Sequence, residues 1–242
     1  MLTPKRIYVE ELLDAGAGAD KDVAENLSDL RRINRFLGGQ RVVMKALAAH
    51  LAESRSERFS LLDVGTGSAD IPGAISKWAR ARGIETIVCA LDVSERNLRV
   101  ARGVLGVAAD LRLVRGDARL LPFPDRSFDF VTASLFLHHF HDEDAVMLLA
   151  EFRRVARRAV IVNDLTRNLV PYYFIKLLGP LFTDSFLTRH DGPVSVLRGF
   201  TRTELRGLAR LAGMRRFEVT RIFPYRLLLV ANGSDANDER PR

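Results

Sequence analysis

The sequence predicts an α/β fold: a doubly wound, mostly parallel sheet of seven strands with a C-terminal antiparallel hairpin and a helical cap insertion. Three observations predict it. Short apolar runs alternate with amphipathic stretches from about residue 59 to 163, the pattern of a parallel sheet covered by helices on both faces. A glycine-rich turn follows the first of those runs at once. Two further strand-like runs near the C-terminus are separated only by Pro224, which leaves room for a hairpin and not for a crossover.

Each element has its own signal. Residues 1 to about 55 are helical in pattern, with Leu27, Leu30, Leu37 and the stretch Val43 to Leu51 on apolar faces and Gly38-Gly39 as a break. Phe59 to Val64 is a buried strand ending in Gly65. Ile71 to Arg82 reads as a helix, with Pro72 in its first turn and Gly83 at its end. Thr86 to Val93 is the second strand, and Ser94 caps a helix whose Leu98, Ala101 and Leu105 share a face. Leu111 to Arg115 and Phe128 to Leu135 are the third and fourth strands. Ala145, Leu148, Leu149, Phe152 and Val155 make a helical stripe within 142–158, and Ala159 to Asn163 is the fifth strand. Residues 164–200 are an aromatic-rich insertion without a clear period, taken as a cap over about 165–200. Thr201-Arg-Thr-Glu204 is a capping box opening a helix that Gly213 closes, and Arg216 to Phe223 and Tyr225 to Ala231 form the hairpin. The expected organisation is an N-terminal helical segment over 1–55, a main domain over 56–231 and a polar, disordered tail over 232–242.

Composition excludes several classes. Of 242 residues 47% are hydrophobic and 28% charged, which suits a globular domain and rules out disorder along the whole chain. Cys89 is the only cysteine, so no disulfide scaffold exists. The most apolar stretch, Leu169 to Phe182, is interrupted by Pro171, Lys176, Gly179 and Pro180 and is no membrane span. The N-terminus lacks a signal-like apolar core, so a cytoplasmic location is expected. Lys plus Arg outnumber Asp plus Glu by 37 to 30, yet the arginines are scattered and form no tail; nucleic acid is therefore disfavoured as a partner.

The chemistry is announced in LLDVGTGSADIP, residues 61–72. Gly65 and Gly67 permit tight turning and remove side chains where a ligand must pass. The helix beyond offers unpaired N–H groups to negative charge. Asp92 ends the second strand, where a carboxylate accepts hydrogen bonds from ribose hydroxyls, and Gly116-Asp117-Ala118 follows the third strand at the height of an adenine edge. Asp63, two residues before the first glycine, discriminates between ligands. A carboxylate there repels a pyrophosphate and attracts the ammonium of S-adenosylmethionine.

These segments resemble the class I S-adenosylmethionine-dependent methyltransferases. DVGTGSAD is similar to the family's first motif, ALDVS to its acidic second-strand end, and GDARLLPFPDRSFDFVTASLFLHHF to its adenine-binding and fourth-strand motifs. The resemblance covers about residues 26–230 and is strongest to the small-molecule branch of the ubiquinone and menaquinone biosynthesis C-methyltransferases, whose N-terminal helix NLSDLRRINRFLGG resembles, including Asn34. It implies a Rossmann-like methyltransferase fold with the N-terminal segment covering the cofactor. It places Asp63, Gly65, Thr66, Gly67 and Asp70 of the loop, Asp92 and Val93, Asp117 and Ala118, and Ser134 at S-adenosylmethionine. Two departures stand out: Ala69 replaces the third loop glycine, and Ala156-Arg157-Arg158-Ala159 replaces a Pro-Gly-Gly turn before the fifth strand.

A methyl acceptor must be held in line with the sulfonium, without intervening water. A phenolic acceptor, with a pKa near 10, profits from a general base. Of five histidines, His138 and His139 end the fourth strand, where alternation turns only one of them to the substrate, and His190 can descend from the insertion with Asp191 beside it. The group His138-His139-x-His141-Asp142 matches no standard zinc spacing, so no metal is expected. Tyr172, Tyr173, Phe174, Phe182 and Phe186 of the insertion suit a lipophilic acceptor or contact with an anionic membrane. Cys89 reads as a buried hydrophobe. The expected activity is methylation of oxygen or carbon of a lipophilic phenol, quinol or polyketide-like molecule. An RNA or protein methyltransferase is the first alternative, opposed by the lack of an Asn/Asp-Pro-Pro-aromatic motif after the fourth strand. An NAD-dependent oxidoreductase is opposed by Asp63, Ala69 and the terminal hairpin. A protein that binds the cofactor without catalysis is a further alternative.

Overall fold

The computed structural model describes residues 3–54, 57–106 and 111–233; most of the expected polar tail lies outside them. An extended segment leads into α1 (Asp20–Phe36) and α2 (Gly39–Ser54), which break apart at Gly38 with a φ of +80°. There follow β1 (Arg58–Val64), α3 (Asp70–Arg80), β2 (Glu85–Asp92), α4 (Glu95–Leu105), β3 (Leu111–Arg115), β4 (Phe128–Ser134), α5 (Asp142–Val155) and β5 (Ala156–Leu165). The insertion is two helices, α6 (Leu169–Phe182) and α7 (Phe186–Arg198), before α8 (Arg202–Leu211), β6 (Phe217–Ile222) and β7 (Arg226–Asn232). Pro180 and Pro193 lie inside α6 and α7, which explains why the sequence period was unclear there.

The sheet is seven-stranded in the order β3-β2-β1-β4-β5-β7-β6. β1 to β5 are mutually parallel, and β7 runs against both its neighbours. Successive strand residues enter different cores: Leu62, Val131 and Val160 join one cluster, and Leu61, Phe130 and Ile161 join the other. Both faces are thus buried, each large side chain contributing about 1.5–3 kcal/mol. Helix ends follow the predicted chemistry. Ser94 accepts the Asn97 N–H, and Thr201 and Glu204 form a reciprocal capping box. The departure at 156–159 has a simple outcome: α5 passes directly into β5, with Ala156 buried at the junction. Cys89 is buried within β2, and burial pushes its thiol up to about 11, so it packs and does not react.

The order reverses between β1, which has β2 and β3 on one side, and β4, which leads to β5 on the other. Ligands of open α/β sheets lie beyond the carboxyl ends of the strands at such a switch point. Val64 and Ser134 end the two strands that flank it.

Candidate active site

The loop leaving β1 is built from left-handed residues: Gly65 has φ +67°, Gly67 +54° and Ala69 +55°. The substituted third position therefore keeps a glycine-like conformation, at a cost of about 1–2 kcal/mol. Ala69 is fully buried and its methyl joins Ala90 and Ala101, so packing offsets that cost. Gly65 lacks a side chain for a reason the sequence did not show. A Cβ there would stand 2.0 Å from Cδ2 of Phe136, whose ring lies over the loop.

Three acids surround this turn. Asp63 is buried, and its carboxylate accepts the hydroxyls of Thr66 at 2.7 Å and Thr132 at 2.6 Å. Burial still pushes it up to about 7. Asp92 accepts the Gly67 N–H at 2.8 Å on one oxygen, and on the other the Ser94 N–H at 2.9 Å and Asn97 Nδ2 at 3.3 Å. It thereby locks the loop to the end of β2, and burial raises its pKa. Asp70 opens α3 and accepts Gln40 Nε2 from α2 at 3.0 Å; burial raises it as well. Val93, beside Asp92, is exposed. Asp117 is engaged by Arg119, with Nη2 at 2.7 Å, and this partner lowers its pKa; Ala118 is buried behind it. Ser134 accepts Asn163 Nδ2 at 3.3 Å.

His138 and His139 are not on the strand. β4 stops at Ser134, Leu135 takes a φ of +52°, and both histidines fall in one 3₁₀ turn, Leu137–His139. Alternation therefore does not separate them: their rings lie 4.3 Å apart. His138 is buried, with Nδ1 2.6 Å from Asp164 Oδ1 and Nε2 3.6 Å from Glu11. Asp164 also accepts the His138 backbone N–H at 3.0 Å. His139 is partly exposed and its Nδ1 lies 2.5 Å from Asp14 Oδ2. Glu11 and Asp14 come from the N-terminal segment, which Arg6 and Arg198 tie down through backbone carbonyls, and no local motif marks them. His190 lies in mid-α7 and is exposed; its Nδ1 is 2.8 Å from Asp191, whose carboxylate is otherwise occupied by the backbone N–H groups of Leu12 and Leu13. Asp191 thus fastens the N-terminal segment to the cap.

Residues 62–162 match the family model described as a methyltransferase domain. The chain is 31% identical over 170 residues to the demethylmenaquinone methyltransferase of Staphylococcus carnosus, covering 65% of this chain and 68% of that one. The chain belongs to the S-adenosylmethionine-dependent methyltransferases. It is also 28% identical over 192 residues to a ubiquinone/menaquinone biosynthesis C-methyltransferase of Stutzerimonas stutzeri, covering 74% and 73% of the two chains. A SAM dependent methyltransferase from Aquifex aeolicus shares the fold, with a TM-score of 0.62 at 18% identity, covering 89% of this chain and 99% of that one.

The methyltransferase's loop fits the cofactor in charge. Asp92 accepts the Gly67 N–H, and burial raises both Asp63 and Asp92, so a cationic sulfonium ligand favours their charged forms where a pyrophosphate opposes them. S-adenosylmethionine, when bound, supplies an electrophilic methyl group. A first prediction follows for the methyltransferase. S-adenosylhomocysteine at a hundred times its Kd is expected to raise Tm by roughly 5–10 °C, from about 2.7 kcal/mol of linkage. NADH is expected to give no shift, and Asp92→Ala to abolish the shift with S-adenosylhomocysteine. Equal shifts in wild type and Asp92→Ala would remove Asp92 from the binding set.

Proposed function

We propose that the methyltransferase acts on oxygen or carbon of a lipophilic small molecule of the phenol, quinol or polyketide-like class. The observation that carries this reading is α6. None of its residues is buried, and Phe174, Leu177, Leu181 and Phe182 are exposed by 56%, 69%, 76% and 69%. The helix rests on α7 through Ile175 against Gly192, and α7 in turn packs against α1 beside the glycine loop. An apolar face of that size on a cap fits a lipophilic acceptor or the anionic membrane that holds one. The relatives' names, demethylmenaquinone methyltransferase among them, point the same way. No helix among the described residues is long and apolar enough to cross a membrane.

The histidines divide the catalytic work. Burial disfavours charge on His138, but Asp164 and Glu11 prevail and push it up to about 10, so it is a fixed imidazolium at neutral pH and not a base. His139 donates Nδ1–H to Asp14, which leaves Nε2 as the acceptor of an acceptor-substrate proton. His190 contacts substrate from α7. Loop residues Asp63, Gly65, Thr66, Gly67 and Asp70, with Asp92, Val93, Asp117, Ala118 and Ser134, bind the cofactor.

Turnover on phenols of increasing alkyl-chain length tests the reading. KM is expected to fall with chain length in the wild type, and this dependence to flatten in Leu177→Ser/Leu181→Ser. His139→Ala is expected to lower kcat about a hundredfold or more. If KM ignores chain length in both proteins, the lipophilic class is wrong; if His138, His139 and His190 variants all keep wild-type kcat, positioning alone suffices.

A further inference from the structure

The turn after β4 brings two histidines to a glutamate from the other end of the chain. One ring nitrogen of His138, one of His139 and a carboxylate oxygen of Glu11 lie within 4.8 Å of one another. Sequence spacing hides this group, because Glu11 arrives from the N-terminal segment. His141, the third histidine of the local run, stands apart and stacks on Tyr8, with ring centroids 4.5 Å apart.

The distances suit ligands of a shared ion better than hydrogen bonds. Nε2 of His138 is 3.6 Å from Glu11 Oε1, and Nδ1 of His139 is 3.8 Å from Glu11 Oε2. An N–H···O hydrogen bond spans about 2.7–3.2 Å. Two ligands of a tetrahedral ion, each about 2.0–2.2 Å from it, stand about 3.3–3.6 Å apart. Each oxygen of Glu11 thus faces a ring nitrogen without closing on it.

Every member is held from behind. Asp164 Oδ1, 2.6 Å from His138 Nδ1, accepts that nitrogen's proton and leaves Nε2 directed at Glu11. Histidines that bind metals are commonly oriented by a carboxylate in this way. Ser195 Oγ donates to Glu11 Oε1 at 2.7 Å. Arg198, buried, donates to the carbonyls of His138 and His139 and fixes the turn. Glu11 and His138 are buried, whereas His139 is partly exposed beside Asp14 and gives an ion its way in. Charge favours a cation as well. Glu11, Asp14 and Asp164 bring three carboxylates to the pair, against the His138 imidazolium and the Arg198 guanidinium. A divalent cation in place of the imidazolium proton balances them.

We propose that Glu11, Nε2 of His138 and Nδ1 of His139 bind a divalent cation of the zinc class. Imidazole nitrogen selects such an ion over Mg²⁺, which keeps to oxygen ligands. On binding, His138 gives its Nε2 proton to the buffer, since a ligating imidazole must be neutral. Asp14 yields Nδ1 of His139 to the ion, and the one proton of that neutral ring moves to Nε2. Nε2 then has no lone pair for a substrate proton, so the ion inhibits methyl transfer. This consequence rests on His139 as the base; the binding site does not.

Isothermal titration of the whole, chelator-treated protein with Zn²⁺ near pH 8 tests the site without turnover. One ion per chain is expected, with a Kd of about 1 μM or tighter. About one proton is expected to leave, read from titrations in two buffers of different ionisation enthalpy. Mg²⁺ is expected not to bind. Glu11→Gln and His139→Gln are each expected to weaken Zn²⁺ about a hundredfold or more, and His190→Ala to leave it unchanged. Should Glu11→Gln fail to fold, His139→Gln, at a partly exposed side chain, decides. No Zn²⁺ binding, equal binding by wild type and His139→Gln, or an equal loss in His190→Ala would each overturn the proposal. Turnover on the alkyl phenols reads the consequence separately: saturating Zn²⁺ is expected to lower kcat about a hundredfold. Full activity with Zn²⁺ bound would uphold the site and overturn both the inhibition and His139 as the base.

Discussion

Asp164→Ala is expected to lower the unfolding free energy by about 3–5 kcal/mol near pH 6, as happens when one member of a buried ion pair is removed. Asp164 is fully buried, and it holds both the ring and the backbone N–H of His138. Burial disfavours its charge, yet the imidazolium keeps its pKa below the ordinary carboxylate value. Without it, His138 keeps only Glu11, 3.6 Å away, as a charged partner, and the 3₁₀ turn loses its anchor on β5. The pH dependence identifies the mechanism. His138 has a folded pKa of about 10 against 6.5 when free, so its contribution is complete below pH 6.5 and is lost as pH rises toward 10. Asp164 is depressed below 3.8, so its contribution is complete above that value and is lost on acidification through the folded pKa. Urea unfolding at pH 6 and pH 9 is expected to show a wild-type decline that Asp164→Asn flattens. Parallel declines in the two proteins would show that the His138 titration is not coupled to Asp164.

Gly65→Ala has the second large effect, an expected loss of about 2–6 kcal/mol. A left-handed φ of +67° costs an alanine roughly 1–3 kcal/mol. The methyl also meets the Phe136 ring at 2.0 Å, and overpacking adds about 1–3 kcal/mol. Against a total stability of about 5–15 kcal/mol this is severe. The double variant Gly65→Ala/Phe136→Ala separates the two parts, since it relieves the contact and leaves the backbone strain. It is expected to regain part of the loss in chemical denaturation; a double variant no more stable than the single one would assign the whole effect to φ.

Much of the frame was legible because local chemistry decides it. β3 lies where its apolar run predicted, Ser94 and Thr201 cap the helices they were expected to cap, and the break expected at Gly38-Gly39 falls at Gly38, with Gly39 opening α2. The places of Asp92 and Asp70 were legible too, because one ends a strand and the other opens a helix; Asp63 lies one residue before the end of β1. What stayed hidden depends on long-range approach. Glu11 and Asp14 reach the histidine turn from well over a hundred residues away, in a segment without regular structure. Asp164 was read as the edge of an insertion; the strand continues through it to Leu165 because His138 supplies the charge that makes its burial tolerable. Leu135 broke the alternation argument for the histidine pair by turning the chain out of the strand. Arg226 is the second residue of the strand expected from Tyr225 to Ala231, and nothing near it in sequence announces a buried guanidinium.

The position of β7 has a consequence for how the protein comes into being. It is the last strand in chain order, yet it sits inside the sheet, between β5 and β6. During synthesis, β5 emerges with its outer edge, the run from Ala159 to Leu165, waiting for a partner some sixty residues downstream. Until β7 arrives, that edge presents open backbone groups flanked by apolar side chains, which is the state in which nascent chains pair wrongly with one another. β6, which leaves the ribosome earlier, cannot cover it, because in the finished sheet its only neighbour is β7. The same late strand brings Arg226 to Asn34 of α1, so a chain that has not yet placed β7 lacks both a closed sheet and this tie to the N-terminal helix.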